Sequence, residues 1–222
     1  MYSNSIILFM NKMLCYENEL FSKGITLVAG IDEVGRGPLV GPVVAAAVIL
    51  PKNFCDERIN DSKKLSEKMR NELYEVICDN AVSIGVGVIS NEIIDRINIY
   101  EATKEAMKEA ISNLDVKPEY LLIDAMRLNI DIPSLSIIKG DSKSQSIAAA
   151  SIVAKVIRDA MMYELDKKYP MYDFANNKGY GTKKHIDAIQ KYGIISEHRR
   201  SFRPVCNYAG KKTKLFDKKC KV

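Results

Sequence analysis

No apolar run in this 222-residue chain approaches the roughly 20 residues that a membrane-spanning helix needs. The stretch SIILFM, residues 5–10, is short and has no basic segment before it, so no signal peptide is expected. Cysteine is sparse and irregular: five residues, at 15, 55, 78, 206 and 220, with no C-x-x-C pair. An odd, scattered set argues against a disulfide framework and fits a reduced, cytoplasmic setting, with the cysteines as packing residues. Internal repeats and low-complexity segments are also absent. So is a phosphate-loop signature. The glycines of GRGPLVG, at 35, 37 and 41, do not make G-x-G-x-x-G, no Gly-Lys-Ser/Thr follows, and the segment leads into a strand rather than a helix. These gaps argue against a membrane-spanning helix and a disulfide framework, and they make a Rossmann or P-loop reading poor.

What is present is enough apolar sequence, 47%, for one sizeable core, or one domain with a smaller appendage. The net charge is +5, from 33 Lys and Arg against 28 Asp and Glu. That small excess says little, but the basic residues gather at 178–203 and in the tail KKTKLFDKKCKV, which suits a polyanionic partner.

Residues 1–24 read as an irregular N-terminal stretch with one short helix. Strands are expected at 26–31, 43–50, 82–89, 120–123 and 135–138. The second is continuously apolar and should be buried on both faces, antiparallel to the first. Gly85 and Gly87 in the third suggest close approach by another element. Helices are expected over 66–80 with Ser66 as N-cap, 91–114, 144–168, and 183–192 ending at Gly193. The order describes a mixed α/β domain with a helical C-terminal part.

Four carboxylates carry the chemistry. Asp32, Asp124 and Asp141 each follow a short apolar run (TLVAGI, EYLLI, SLSIIKG), and Glu33 is next to the first. Convergent strand ends would gather them, and clustered carboxylates favour hard divalent cations such as Mg²⁺ or Mn²⁺. Adjacent strand residues point to opposite faces, so Asp32 and Glu33 share a site only if the strand ends there and the chain turns, with Gly35 and Gly37 supplying the freedom. Asp124 also reads as an ordinary strand-end acid, and Asp141 as a helix cap. Asp61 shares the DSK tripeptide of Asp141, at 61–63 and 141–143, and the residues alone do not choose between them. Arg36, Lys63, Lys64 and Lys143 are candidate phosphate contacts, and NNKGYGTKKH, 176–185, sets Tyr180 beside Lys183 and Lys184. A tyrosine there can stack on a sugar or base. His185 and His198 fit a structural role better than a catalytic one.

Taken together, GIDEVGRGPLVGPVVAAAVIL (30–50), DSKKLS (61–66), LLID (121–124), KGDSKSQSIAAASIVAKVIRD (139–159), KGYGT (178–182) and HRRSF (198–202) closely resemble the ribonuclease HII family, in that family's order. Val34 stands where many members have Ala. Gly35-Arg36-Gly37 and the short N-terminal stretch favour HII over the sister ribonuclease HIII family. The resemblance implies an α/β, ribonuclease H-like fold: a five-stranded mixed sheet flanked by helices, plus a C-terminal helical region. It implies a catalytic domain over 25–204, between an N-terminal extension (1–24) and a basic tail (205–222). It also implies a metal site of Asp32, Glu33, Asp124 and Asp141, rather than Asp61, holding two Mg²⁺ or Mn²⁺ ions. The implied substrate is an RNA/DNA hybrid or a duplex DNA containing a single ribonucleotide. Gly35, Arg36 and Gly37 would contact the 2′-hydroxyl and its phosphate. Tyr180 would pack on the next sugar, and Lys63, Lys64, Lys143, Lys183 and Lys184 would hold phosphates. A monomer is expected, with no membrane association. The tail tripeptide KLF is a faint echo of a sliding-clamp peptide, and a solvated tail is the stronger reading.

Overall fold

The computed structural model describes residues 12–208, which form two compact units. One comprises 12–34, 44–88 and 103–157; the other comprises 35–43, 89–102 and 158–208. The span 25–204 expected as one catalytic domain draws on both.

The first unit is built on a sheet with strand order β3-β2-β1-β4-β5. The strands are β1 (Val28–Val34), β2 (Val43–Ile49), β3 (Ser83–Ile89), β4 (Tyr120–Asp124) and β5 (Ser134–Ile137). Central β1 runs antiparallel to β2, from Ala29 opposite Ile49 to Val34 opposite Val44, and parallel to β4. β5 is parallel to β4, so the sheet is mixed. All seven residues of β2 are buried, as its unbroken apolar sequence requires.

Helix α1 (Cys15–Ser22) precedes the sheet, and its Glu17 and Leu20 are buried. Helix α2 (Glu67–Asn80) is capped by Ser66, whose hydroxyl accepts from Met69 N at 3.2 Å, and it buries Leu73 and Ile77. The helix expected over 91–114 is two helices, α3 (Asn91–Ile97) and α4 (Ile99–Ser112). Asn98 breaks it with φ +71°. Its side-chain oxygen accepts from the N–H groups of Tyr100 (2.9 Å) and Glu101 (3.1 Å), so it caps the second helix. Asparagine tolerates left-handed φ and competes for backbone donors, a cue hidden within a continuous helical period. The close approach expected at β3 is real: a Cβ on Gly85 or Gly87 would lie 2.0 Å from the carbonyl oxygen of Ala110 or Ala106 on α4.

Helix α5 (Gln145–Lys168) follows β5, and short α6 (Phe174–Asn177), absent from the sequence expectation, precedes α7 (Lys183–Tyr192). The second unit packs Leu39, Val40, Met162, Tyr172, Phe174 and Ile189 into its own core. Thr182 caps α7, and Gly193, at φ +87°, ends it.

Cys15 and Cys78 are exposed and only Cys55 and Cys206 are partly covered, so the packing role expected of cysteine fails for the first two. All four are free thiols. Among the described residues no helix is long and apolar enough to cross a membrane. The segment 5–10, Cys220 and the KLF tripeptide lie outside the described residues.

Candidate metal centre

The parallel pairing of β1 and β4 sets the site. Ile31 lies opposite Ile123, so the residues that follow, Asp32 and Asp124, come side by side. One carboxylate oxygen from each of Asp32, Glu33 and Asp124 lies within 4.8 Å of the other two. The strand does not end at the acidic pair, as the sequence reading required. β1 continues to Val34, with Asp32 opposite Ala46 and Glu33 opposite Ala45. On the β4 side, however, pairing stops at Ile31, just before the acids.

Asp32 is 3% exposed. Its Oδ1 accepts from Glu33 N at 2.7 Å, and the Ser151 hydroxyl on α5 donates to it. Ser62 Oγ is hydrogen-bonded to Ser151 Oγ at 2.8 Å. Burial above all, then the charges of Glu33 and Asp124, push the Asp32 carboxyl well above the usual range. Asp124 Oδ1 accepts from Gly140 N at 2.6 Å. Burial, aided by the charge of Asp141, raises it too, and the Gly140 N–H and Lys63 offset only part of this. Crowded carboxylates that resist ionisation are the donor set a hard divalent cation relieves. These three residues therefore fit such an ion.

Asp141 is 6% exposed, within the 3₁₀ turn Gly140–Ser142, and is not one of the three acids whose oxygens converge within 4.8 Å. Its charge reaches Asp124, and its Oδ2 is 3.7 Å from Lys63 Nζ. It does not cap α5. Ser144 does, accepting from Ile147 N at 3.2 Å, and Glu17 Oε1 secures that end by accepting from Ser144 Oγ (2.6 Å) and Ser146 N (3.0 Å). Asp61 is used locally, accepting from Lys63 N at 3.0 Å, with Lys64 Nζ 3.7 Å away. Burial lowers the Lys63 ammonium, but the charges of Asp141, Asp32, Asp61 and Asp124 outweigh it and the net shift is upward. The first DSK tripeptide thus serves the cluster through Ser62 and Lys63. Lys143 is exposed just before α5.

The remaining sequence candidates lie in the second unit. Gly35 has φ +101°, and a Cβ there would lie 2.2 Å from Arg158 Nε. The Arg36 side chain and Gly37 are exposed. Tyr180, 49% exposed, lies over Gly37, where an added Cβ would meet its ring at 3.2 Å. Lys183 is exposed, whereas Lys184 pairs with Asp173 at 3.1 Å.

Sequence reasoning missed two arginines, Arg158 and Arg199, both 0% exposed. Arg158 donates to the carbonyls of Pro42 (3.1 Å), Lys178 (3.0 Å) and Val40 (3.1 Å). Arg199 donates to those of Gly41 (2.9 Å), Arg36 (3.0 Å), Gly35 (2.6 Å) and Pro42 (3.0 Å). Burial pulls their guanidinium groups down to about 10 and about 9, so both stay charged at neutral pH. The available signal was an arginine on the apolar stripe of α5, one residue after Ile157.

The ribonuclease HII sequence model matches residues 29–205. The chain belongs to the ribonuclease HII family. It is 61% identical over 194 residues to the ribonuclease HII of Bacillus mycoides (strain KBAB4), covering 87% of this chain and 76% of that one. The crystal structure of ribonuclease H2 from Pyrococcus horikoshii OT3 matches with a TM-score of 0.70 at 25% identity, over 82% of this chain and 96% of that one. The RNase HII in the PCNA:RNase HII complex from Archaeoglobus fulgidus matches at 0.68 and 29%, over 80% and 95%. Ribonuclease HII enzymes are divalent-metal-dependent endonucleases of RNA/DNA hybrids, and this chain is one of them. The ribonuclease H-like fold read from its motifs is the fold it has.

Proposed function

We propose that this ribonuclease HII hydrolyses the RNA strand of RNA/DNA hybrids and also cuts on the 5′ side of a single ribonucleotide embedded in duplex DNA, leaving a 3′-hydroxyl and a 5′-phosphate. The observation that carries the chemistry is the convergence of Asp32, Glu33 and Asp124 within 4.8 Å. Asp32, Glu33, Asp124 and Asp141 would hold two Mg²⁺ or Mn²⁺ ions, directly or through water. When bound, such a pair activates water and stabilises the departing oxygen of a phosphodiester. No side-chain nucleophile is required.

The chain's own residues do the rest. Gly35, Arg36 and Gly37 meet the 2′-hydroxyl and its phosphate, the group that separates RNA from DNA. Tyr180 offers an exposed ring to the neighbouring sugar. Lys63, Lys64, Lys143 and Lys183 hold backbone phosphates, which makes binding salt-sensitive without sequence preference. Lys184 contributes less while Asp173 holds it. The complex of the Archaeoglobus fulgidus relative with PCNA makes a sliding clamp the protein partner to test.

The deciding assay incubates the protein with a DNA duplex carrying one ribonucleotide, with Mg²⁺ or Mn²⁺, and maps the product ends beside an all-DNA control. Cleavage 5′ of the ribonucleotide with a 3′-hydroxyl left behind is expected. Cutting of the all-DNA duplex, or cleavage of long hybrids alone, would overturn the single-ribonucleotide reading.

A further inference from the structure

Burying a guanidinium is expensive, and an apolar residue of similar volume is often as good for stability. Two such groups occupy the second unit, each 0% exposed, and among the described residues their hydrogen bonds end on main-chain carbonyls. Together they take the carbonyls of Gly35, Arg36, Val40, Gly41 and Pro42, five positions in a loop with glycines at 35, 37 and 41. A loop this rich in glycine has little conformational preference of its own. The planar fork of arginine is suited to fixing several acceptors at once, and a lysine ammonium is not.

The two arginines divide the loop. Arg158 takes Val40 and Pro42 and ties them to Lys178. Arg199 alone takes Gly35 and Arg36. In a trans peptide the C=O and N–H point in opposite directions. With the carbonyls of Gly35 and Arg36 turned onto Arg199, the amide N–H groups of Arg36 and Gly37 point away from it. A positive charge behind those two peptide units polarises them and strengthens the N–H groups as donors.

We infer that Arg199 is a positioning residue for ribonucleotide selectivity: it aims the amides of Arg36 and Gly37 as a paired donor for the ribose hydroxyl and its adjoining phosphate oxygen. Arg158 has the same chemistry but only braces the rest of the loop. The inference rests on the reading that this loop meets the ribose.

The test measures affinity, in chelator so that nothing is cut, for two duplexes of one sequence, one all DNA and one with a single ribonucleotide. The unmodified protein prefers the ribonucleotide duplex. Arg199→Lys lowers that preference by about tenfold, the size of one charge-supported hydrogen bond. Arg158→Lys lowers the urea midpoint and leaves the preference in place. An Arg199→Lys protein that folds and keeps the full preference overturns the inference. Should that variant not fold, the amide proton resonances of Arg36 and Gly37 in the unmodified protein decide. They should move with the ribonucleotide duplex and not with the all-DNA one; if neither moves, the assignment is wrong. An unmodified protein with no preference would remove the parent reading first.

Discussion

His185 and His198 face each other through their Nε2 atoms at 3.2 Å, both rings fully buried. The outer nitrogens fix the tautomers. His198 Nδ1 accepts from Ile195 N at 3.0 Å, so its proton sits on Nε2 and points to His185. His185 then carries its proton on Nδ1 and donates to the Tyr180 carbonyl at 2.9 Å. The wire runs from Ile195 to the backbone of Tyr180 only while both rings are neutral.

Acid should therefore act on this pair in a defined direction. Burial, and then the neighbouring His185, hold His198 down at about 3, against 6.5 for a free imidazole. Between those values the unfolded chain binds the proton and the folded one does not, so folding loses about 1 kcal/mol per pH unit as pH falls below the free value. Thermal melts from pH 7.5 to 5 should show a steeper decline for the native protein than for His198→Gln. Parallel slopes would mean that this histidine does not titrate as its burial demands.

Asp32→Asn should abolish cleavage and leave duplex binding largely intact. In metal-free buffer it should also raise the melting temperature, because an amide carries no carboxyl whose ionisation burial and the charges of Glu33 and Asp124 oppose. Native protein should gain stability from Mg²⁺ or Mn²⁺ by mass action, and the variant should gain much less. Equal metal-induced shifts in the two would separate Asp32 from the ion.

Tyr180→Ala should cut a single-ribonucleotide junction far more slowly than native, with the melting temperature nearly unchanged, since the ring is 49% exposed. Steady-state rates on that duplex beside melting curves check both halves. A normal junction rate would leave the ring without a role at the sugar.

Gly35→Ala tests the loop from the other side. A residue with φ +101° resists any side chain, and the new methyl would meet Arg158 Nε at 2.2 Å. Urea unfolding should show a loss of about 1–3 kcal/mol. A midpoint equal to native would show that the loop relaxes freely and is not tightly braced by the two arginines.

The strands and their acids were legible because hydrophobic runs that stop at a carboxylate are a local signal. The convergence of Asp32, Glu33 and Asp124 was harder, since it depends on β1 and β4 being parallel and in register. The requirement that the strand end at Asp32 and Glu33 was too strict: pairing with β4 stops at Ile31, but β1 itself runs on to Val34. Ser62 and Ser151 were invisible as a pair because 89 residues separate them. Arg158 and Arg199 escaped for a different reason. Arginine is expected at the surface or opposite an acid, and a guanidinium whose hydrogen bonds end on main-chain carbonyls leaves no side-chain acceptor to find in the sequence.

The brace that Glu17 places on the start of α5 has a practical meaning for boundaries. It lies ahead of residues 29–205, the span the family signature covers, yet it ends three residues from Asp141. A version trimmed to the signature would keep every carboxylate of the centre and lose the anchor of the helix beside it. In this enzyme the span that carries the carboxylates stops short of one residue that secures the helix beside them.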